Sequence, residues 1–142
     1  MDEWILYGAR VLNGLLAGVY VAFLVAVMPA LHGLPDDVFA RVMNRINEVI
    51  VNPAFLLLFL GAPLLAGVLL VWERGPLAIA AAVCAVAALA ITFAANLPLN
   101  DALAAGGSRQ DYETPWLVWH SVRTLAATAA FVLVGLAGRV SP

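Results

Sequence analysis

No lysine occurs anywhere in the 142 residues, so neither a Schiff base to retinal or pyridoxal phosphate nor a Walker-type phosphate loop is open to this chain. Cysteine is reduced to Cys84 alone, and a dithiol redox pair, an intrachain disulfide and a thiolate-held iron–sulfur cluster all need at least two thiols. Charge is scarce as well. Seven arginines and nine acids make up 11% of the chain, where a soluble domain carries roughly a quarter, so a water-facing shell cannot be built. With a net charge of −2 and no basic tract, a nucleic-acid groove and a polybasic membrane arm are excluded. The chemistry left is that of histidine, asparagine, arginine, tryptophan, tyrosine and carboxylates.

What the chain has in abundance is apolar sequence: 64% of positions are hydrophobic and the mean hydropathy is +0.98. A bilayer core takes about 20 mostly apolar residues per helix, and residues 5–31, 53–72, 76–96 and 116–137 each meet that requirement. The expected fold is all-α: an integral-membrane four-helix bundle forming one domain over residues 1–142. It should be a multi-pass protein of a bacterial cell membrane, with the lipid bilayer as its first partner. Met-Asp-Glu-Trp at the N-terminus is acidic where a secretory leader is basic, so the first span is expected to be retained.

Between spans one and two, Asp36 and Asp37 supply an acidic helix start after Pro35. Val38, Phe39, Val42, Met43, Ile46, Val49 and Ile50 then recur at three- and four-residue steps. This predicts a short amphipathic helix over 36–51, lying at the interface or folded over the bundle mouth. Its polar face carries Arg41, Asn44, Arg45, Asn47 and Glu48, and the Asn52-Pro53 step ends it. Glu73-Arg74-Gly75 reads as a tight reversal, and residues 100–115 read as a polar loop with Gly106-Gly107-Ser108 at its tip.

Four alternating spans bring the end of one, the start of two, the end of three and the start of four to the same membrane side. His32, Asn44 to Asn52, Asn96, Asn100, Trp116, His120 and Arg123 all fall there. The arginine count does not separate the two faces; taking the N-terminus as cytoplasmic, this polar end faces outward.

On span four, Trp116, His120, Arg123 and Thr124 share one helical face, because residues three and four apart stack along a helix. This presents an imidazole and a guanidinium together in the upper layer of the membrane. Either Arg123 snorkels to headgroups and His120 packs at the interface, or Arg123 holds a phenolate or carboxylate while His120 moves a proton. Thr92, Asn96 and Asn100 follow one another at four-residue spacing with Pro98 breaking the last turn. Their carboxamides, with those of Asn47 and Asn52, serve freed backbone carbonyls or a substrate. Gly14 and Gly18 form a small-xxx-small pair suited to close helix packing, including packing against a second copy. Asn13 and Tyr20 share a face of span one but sit deeper, and His32 reads as a loop histidine. His32, His120 and Glu48 would be a two-histidine, one-carboxylate metal set, and the two histidines a haem pair. The metal set has no spacing signature and both histidines fall near the surface rather than mid-bundle, so no cofactor is expected and a histidine-ligated metal or haem protein is the lesser alternative.

Several of these segments together resemble the DUF1772, or anthrone oxygenase-like, membrane family. They are Gly14-Leu-Leu-Ala-Gly-Val-Tyr20 with Met28-Pro29, Arg45-Ile46-Asn47, Val51-Asn52-Pro53-Ala54-Phe55, Asn96-Leu97-Pro98-Leu99-Asn100, and Trp116-Leu-Val-Trp-His120-Ser-Val-Arg123. The resemblance runs over nearly the whole chain, and one position departs from it: asparagine is the more usual residue where this chain has His120. The resemblance implies a small four-helix membrane protein, possessing a monooxygenase-type activity that converts an anthrone to an anthraquinone with dioxygen and no evident cofactor. On that reading His120 or His32 is the base, Arg123 with Asn96 and Asn100 holds the oxyanion, Trp116 stacks on the substrate ring, and Asn47 and Asn52 complete the hydrogen bonds. A binding or accessory protein that holds a lipid or quinone, or docks a partner helix on the Gly14/Gly18 face, is the alternative from another class. Transport is disfavoured because there is no inverted repeat.

Overall fold

The computed structural model describes residues 3–137, and among them every regular element is helical. Four helices are long and apolar enough to cross a membrane: Glu3–His32, Pro53–Val71, Pro76–Ala104 and Arg109–Ala137. This is the organisation of a multi-pass membrane protein. Leu57, Leu64, Val83, Val86, Leu125 and Val132 are exposed around its waist, as lipid-facing residues must be.

Inside the bundle the side chains are small. Ala9, Ala62, Ala66, Ala81, Ala85, Ala88, Ala127 and Ala130 are buried, so the helices approach closely and dispersion replaces the hydrophobic effect that lipid does not supply. Gly14 belongs to this packing: a Cβ there would sit 2.9 Å from Cε2 of Phe131 on span four. Gly18, one turn on, is exposed and faces open space. Asn13 is buried and donates from Nδ2 to the carbonyls of Ala9 and Ala62, which ties span one to span two.

The segment between spans one and two is a helix, Asp36–Val49, and it closes over the bundle mouth. Phe39 and Met43 lose all accessible surface against Met28, Leu103, Tyr112 and Trp116. Asn52 is the N-cap of span two: its Oδ1 accepts from the Phe55 N–H at 3.0 Å and its Nδ2 donates to Val49 O at 2.9 Å.

The polar loop read over 100–115 is mostly helix. Span three continues to Ala104 and span four begins at Arg109, leaving a turn over Gly106, where φ is +93°, and Gly107, whose added Cβ would strike Ala102 O at 2.7 Å. Proline misled the reading. Pro98 opens a new helical segment, and Pro115 stands inside the helix Arg109–Ala137, which runs on through it although Asp111 O loses a donor. Ser108 caps the helix start, accepting the Asp111 N–H and donating to the Asp111 carboxylate.

Spans one and three each contain one turn of π-helix, Phe23–Val27 and Thr92–Asn96. Both stand just before a Met-Pro or Leu-Pro step. Pro29 and Pro98 cannot donate to the carbonyls of Val25 and Ala94, and their rings press on those carbonyls, so the preceding turn widens. Met28 and Leu97 accordingly donate five residues back, to Phe23 O and Thr92 O.

Candidate functional site

Polar residues descend from the mouth into the bundle in three tiers. At the rim, Arg109 gathers the turn after span one. Its Nε donates to Glu113 Oε2 at 2.6 Å, Nη1 to Leu34 O at 2.7 Å and Asp36 Oδ1 at 3.1 Å, and Nη2 to His32 O at 2.8 Å. Its guanidinium also lies 4.3 Å from the centre of the Phe39 ring, so the same residue holds the mouth helix down. His32 pairs with Glu113 at 2.8 Å and stays exposed.

Below the rim, Asn100 Oδ1 accepts both the Tyr112 hydroxyl and the Trp116 indole N–H, each at 2.9 Å. Asn47 comes beside the Tyr112 hydroxyl from the mouth helix, its Nδ2 buried and without a partner. Asn96 has no accessible surface; its Nδ2 donates to Trp116 O at 3.2 Å and its Oδ1 is unpartnered.

The deepest tier is built around His120 and Arg123. His120 Nε2 meets Tyr20 O at 2.9 Å and its Nδ1 accepts from Arg123 Nε at 3.0 Å, so the neutral ring carries its proton on Nε2. Trp116 stacks on the imidazole with centroids 4.6 Å apart and planes 12° from parallel. Arg123 Nη1 donates to Thr92 Oγ1 at 3.0 Å, and Thr92 in turn donates to Ala88 O. The guanidinium carbon lies 4.7 Å from the Tyr20 ring centre and 5.4 Å from that of Trp116. Nη2 has no acceptor, and no carboxylate pairs with Arg123 among the described residues. A buried cation has thus been given aromatic faces and neutral acceptors but no counter-charge.

Trp116, His120, Arg123, Asn96 and Asn100 therefore meet, and Asn47 joins them through Tyr112. Asn52 does not; an asparagine preceding Pro53 is engaged as a helix cap on the exposed side. His32, His120 and Glu48 do not converge, because His32 is paired at the rim and Glu48 with Arg45 at 3.0 Å. No group of three or more histidine, cysteine, aspartate or glutamate side chains comes together among the described residues. Depth differs from the upper-layer reading. Span four starts at Arg109, which puts Arg123 roughly 21 Å along it, level with Tyr20 and Thr92 well inside the bundle. Tyr112, Arg109 and Glu113 belong to the site and were obscured by the loop reading; Tyr112, Trp116, His120 and Arg123 follow at steps of four, four and three along one helix face.

Fold and site together define a small four-span helical bundle with an uncompensated guanidinium, held by an imidazole, beneath an amphipathic lid. The family model described as anthrone oxygenase matches residues 39–133, and the chain belongs to this family, also known as DUF1772. No curated protein and no solved structure matches it.

Proposed function

We propose that the protein is a membrane oxygenase that uses no cofactor and acts on a lipophilic anthrone-, phenol- or quinone-like substrate. Family membership supports the reaction class. The observation that carries the reading is the buried Arg123, whose Nη2 and whose charge both lack a partner. A flat apolar acid that ionises at one oxygen supplies what is missing: apolar surface for Trp116 and an oxyanion for the guanidinium.

The reaction balances without another redox partner. The methylene carbon of an anthrone loses a proton, and the resulting charge spreads to the ring carbonyl oxygen, where Arg123 holds it. Dioxygen takes the electron pair and bonds to that carbon as a hydroperoxide. Loss of the second C–H proton with cleavage of the O–O bond leaves a new carbonyl and one water, so anthrone and dioxygen give anthraquinone and water. His120 is the base in this scheme. Its Nδ1 lone pair is held by Arg123 Nε in the closed site, and an oxyanion that draws the guanidinium toward itself releases that lone pair for the proton.

Purified protein in nanodiscs, incubated with anthrone under ¹⁸O-labelled dioxygen in the presence of a chelator, is expected to form anthraquinone carrying one labelled oxygen. Anthrone that oxidises no faster than in empty nanodiscs would remove the proposal.

One observation favours a second reading, a non-catalytic holder of a lipophilic anion. His120 has no accessible surface and Arg123 little, so the site is closed. Stoichiometric binding of an anthrone with no product would select this reading.

A further inference from the structure

Tyr20 is the one titratable group in the deepest tier that the scheme above leaves idle. It is 2% exposed, yet its hydroxyl has no hydrogen-bond partner. Everything else about the residue is engaged. Its carbonyl accepts from His120, its ring stands edge-on to His120 at 5.6 Å, and its face carries the Arg123 guanidinium. The hydroxyl itself comes beside Thr92, whose Oγ1 accepts from Arg123 Nη1 and donates to Ala88 O, but no hydrogen bond joins the two hydroxyls. The Tyr20 hydroxyl is thus a buried donor without a partner, on a ring whose face carries a guanidinium that donates only from Nε and Nη1 among the described residues. Leaving a buried hydroxyl unpaired is costly, so a site that retains one beside a cation without a counter-charge suits an acceptor from outside.

We propose that Tyr20 is the second donor of an oxyanion cradle: its hydroxyl and Arg123 Nη2 donate to the same oxygen of a planar lipophilic phenolate or enolate. The inference rests on the reading of Arg123 as the anion holder and adds the specificity that reading lacks. A lone cation attracts any anion. Two donors from different helices, one charged and one neutral, fit an oxygen with two lone pairs in the plane of an aromatic system, set between the Tyr20 and Trp116 rings. Span one thereby contributes directly to ligand binding.

The probe is 2-hydroxyanthraquinone, which does not consume dioxygen here and whose absorption band moves to longer wavelength on ionisation. Wild-type protein in nanodiscs is expected to bind the probe as its anion and to lower the pH at which it ionises, relative to empty nanodiscs. Tyr20→Phe keeps the ring under the guanidinium and the carbonyl on His120, and removes only an unpartnered hydroxyl. Its thermal stability should therefore equal or exceed the wild type's. Its affinity for the anion should fall about tenfold to a hundredfold, the range for a hydrogen bond to a charged group. Arg123→Gln should abolish anion binding. If Tyr20→Phe binds the probe as wild type does while Arg123→Gln does not, the role given to Tyr20 is wrong and the anion site stands. If neither substitution changes binding, the reading of Arg123 falls with it.

Discussion

A guanidinium withdrawn from water without a carboxylate costs several kcal/mol, and Arg123 offsets that with one imidazole, one hydroxyl and two aromatic faces. His120 is the most exacting of these partners, because its tautomer is fixed from the other side by the Tyr20 carbonyl. His120→Ala should leave Arg123 Nε buried without an acceptor and lower stability by about 1–3 kcal/mol, read as a reduced melting temperature in detergent. Unchanged melting would mean that another group takes over Nε. Asn52 provides the contrast. As an exposed cap it should cost about 1 kcal/mol when replaced by alanine, with turnover per folded molecule unchanged; a selective loss of turnover would return it to the site.

At the scale of the element, two features shape the chamber. The first is the wide turn before proline, which rotates Thr92 and Asn96 relative to Asn100. Pro98→Ala restores a donor to Ala94 O and permits a regular helix. Removing one residue's worth of winding turns the upper segment by about 100°, so Asn100 should lose Tyr112 and Trp116. Activity should drop far more than melting temperature, and the reverse pattern would assign the turn to stability alone. The second feature is the lid Asp36–Val49, held through Arg109. Arg109→Met should loosen the lid and expose Arg41 and Arg45 to trypsin. A rise of about tenfold in cleavage there corresponds to ~1.4 kcal/mol of lost closure; equal cleavage would show that Phe39 and Met43 hold the lid unaided.

Across the whole molecule, the parts legible in the sequence were those written in periodicity: four apolar windows, one amphipathic helix, and a polar end assembled by alternating direction. Trp116, His120 and Arg123 were readable as one helix face for the same reason. What was not legible came from proline and from depth. Pro98 and Pro115 read as ends of helices, although one follows a widened turn and the other lies inside a helix that runs through it, and this hid Tyr112, Arg109 and Glu113 within an expected loop. Tyr20 reads as too deep to matter when span four begins at Trp116; its actual start at Arg109 brings Arg123 down to the level of Tyr20. Asn52 carried the composition of a binding residue and the position of a cap, and only geometry separates the two.

The central claim is that the unpaired charge of Arg123 stabilises the anion through which the substrate reacts. Oxygen uptake by wild-type and Arg123→Gln protein in nanodiscs, with anthrone as substrate and circular dichroism confirming equal helicity, tests it most directly. Wild type is expected to consume one dioxygen per anthrone, and Arg123→Gln to turn over about a hundredfold more slowly or worse, the loss typical of removing a charged stabiliser of an oxyanion. Equal rates from two equally folded proteins would contradict the claim.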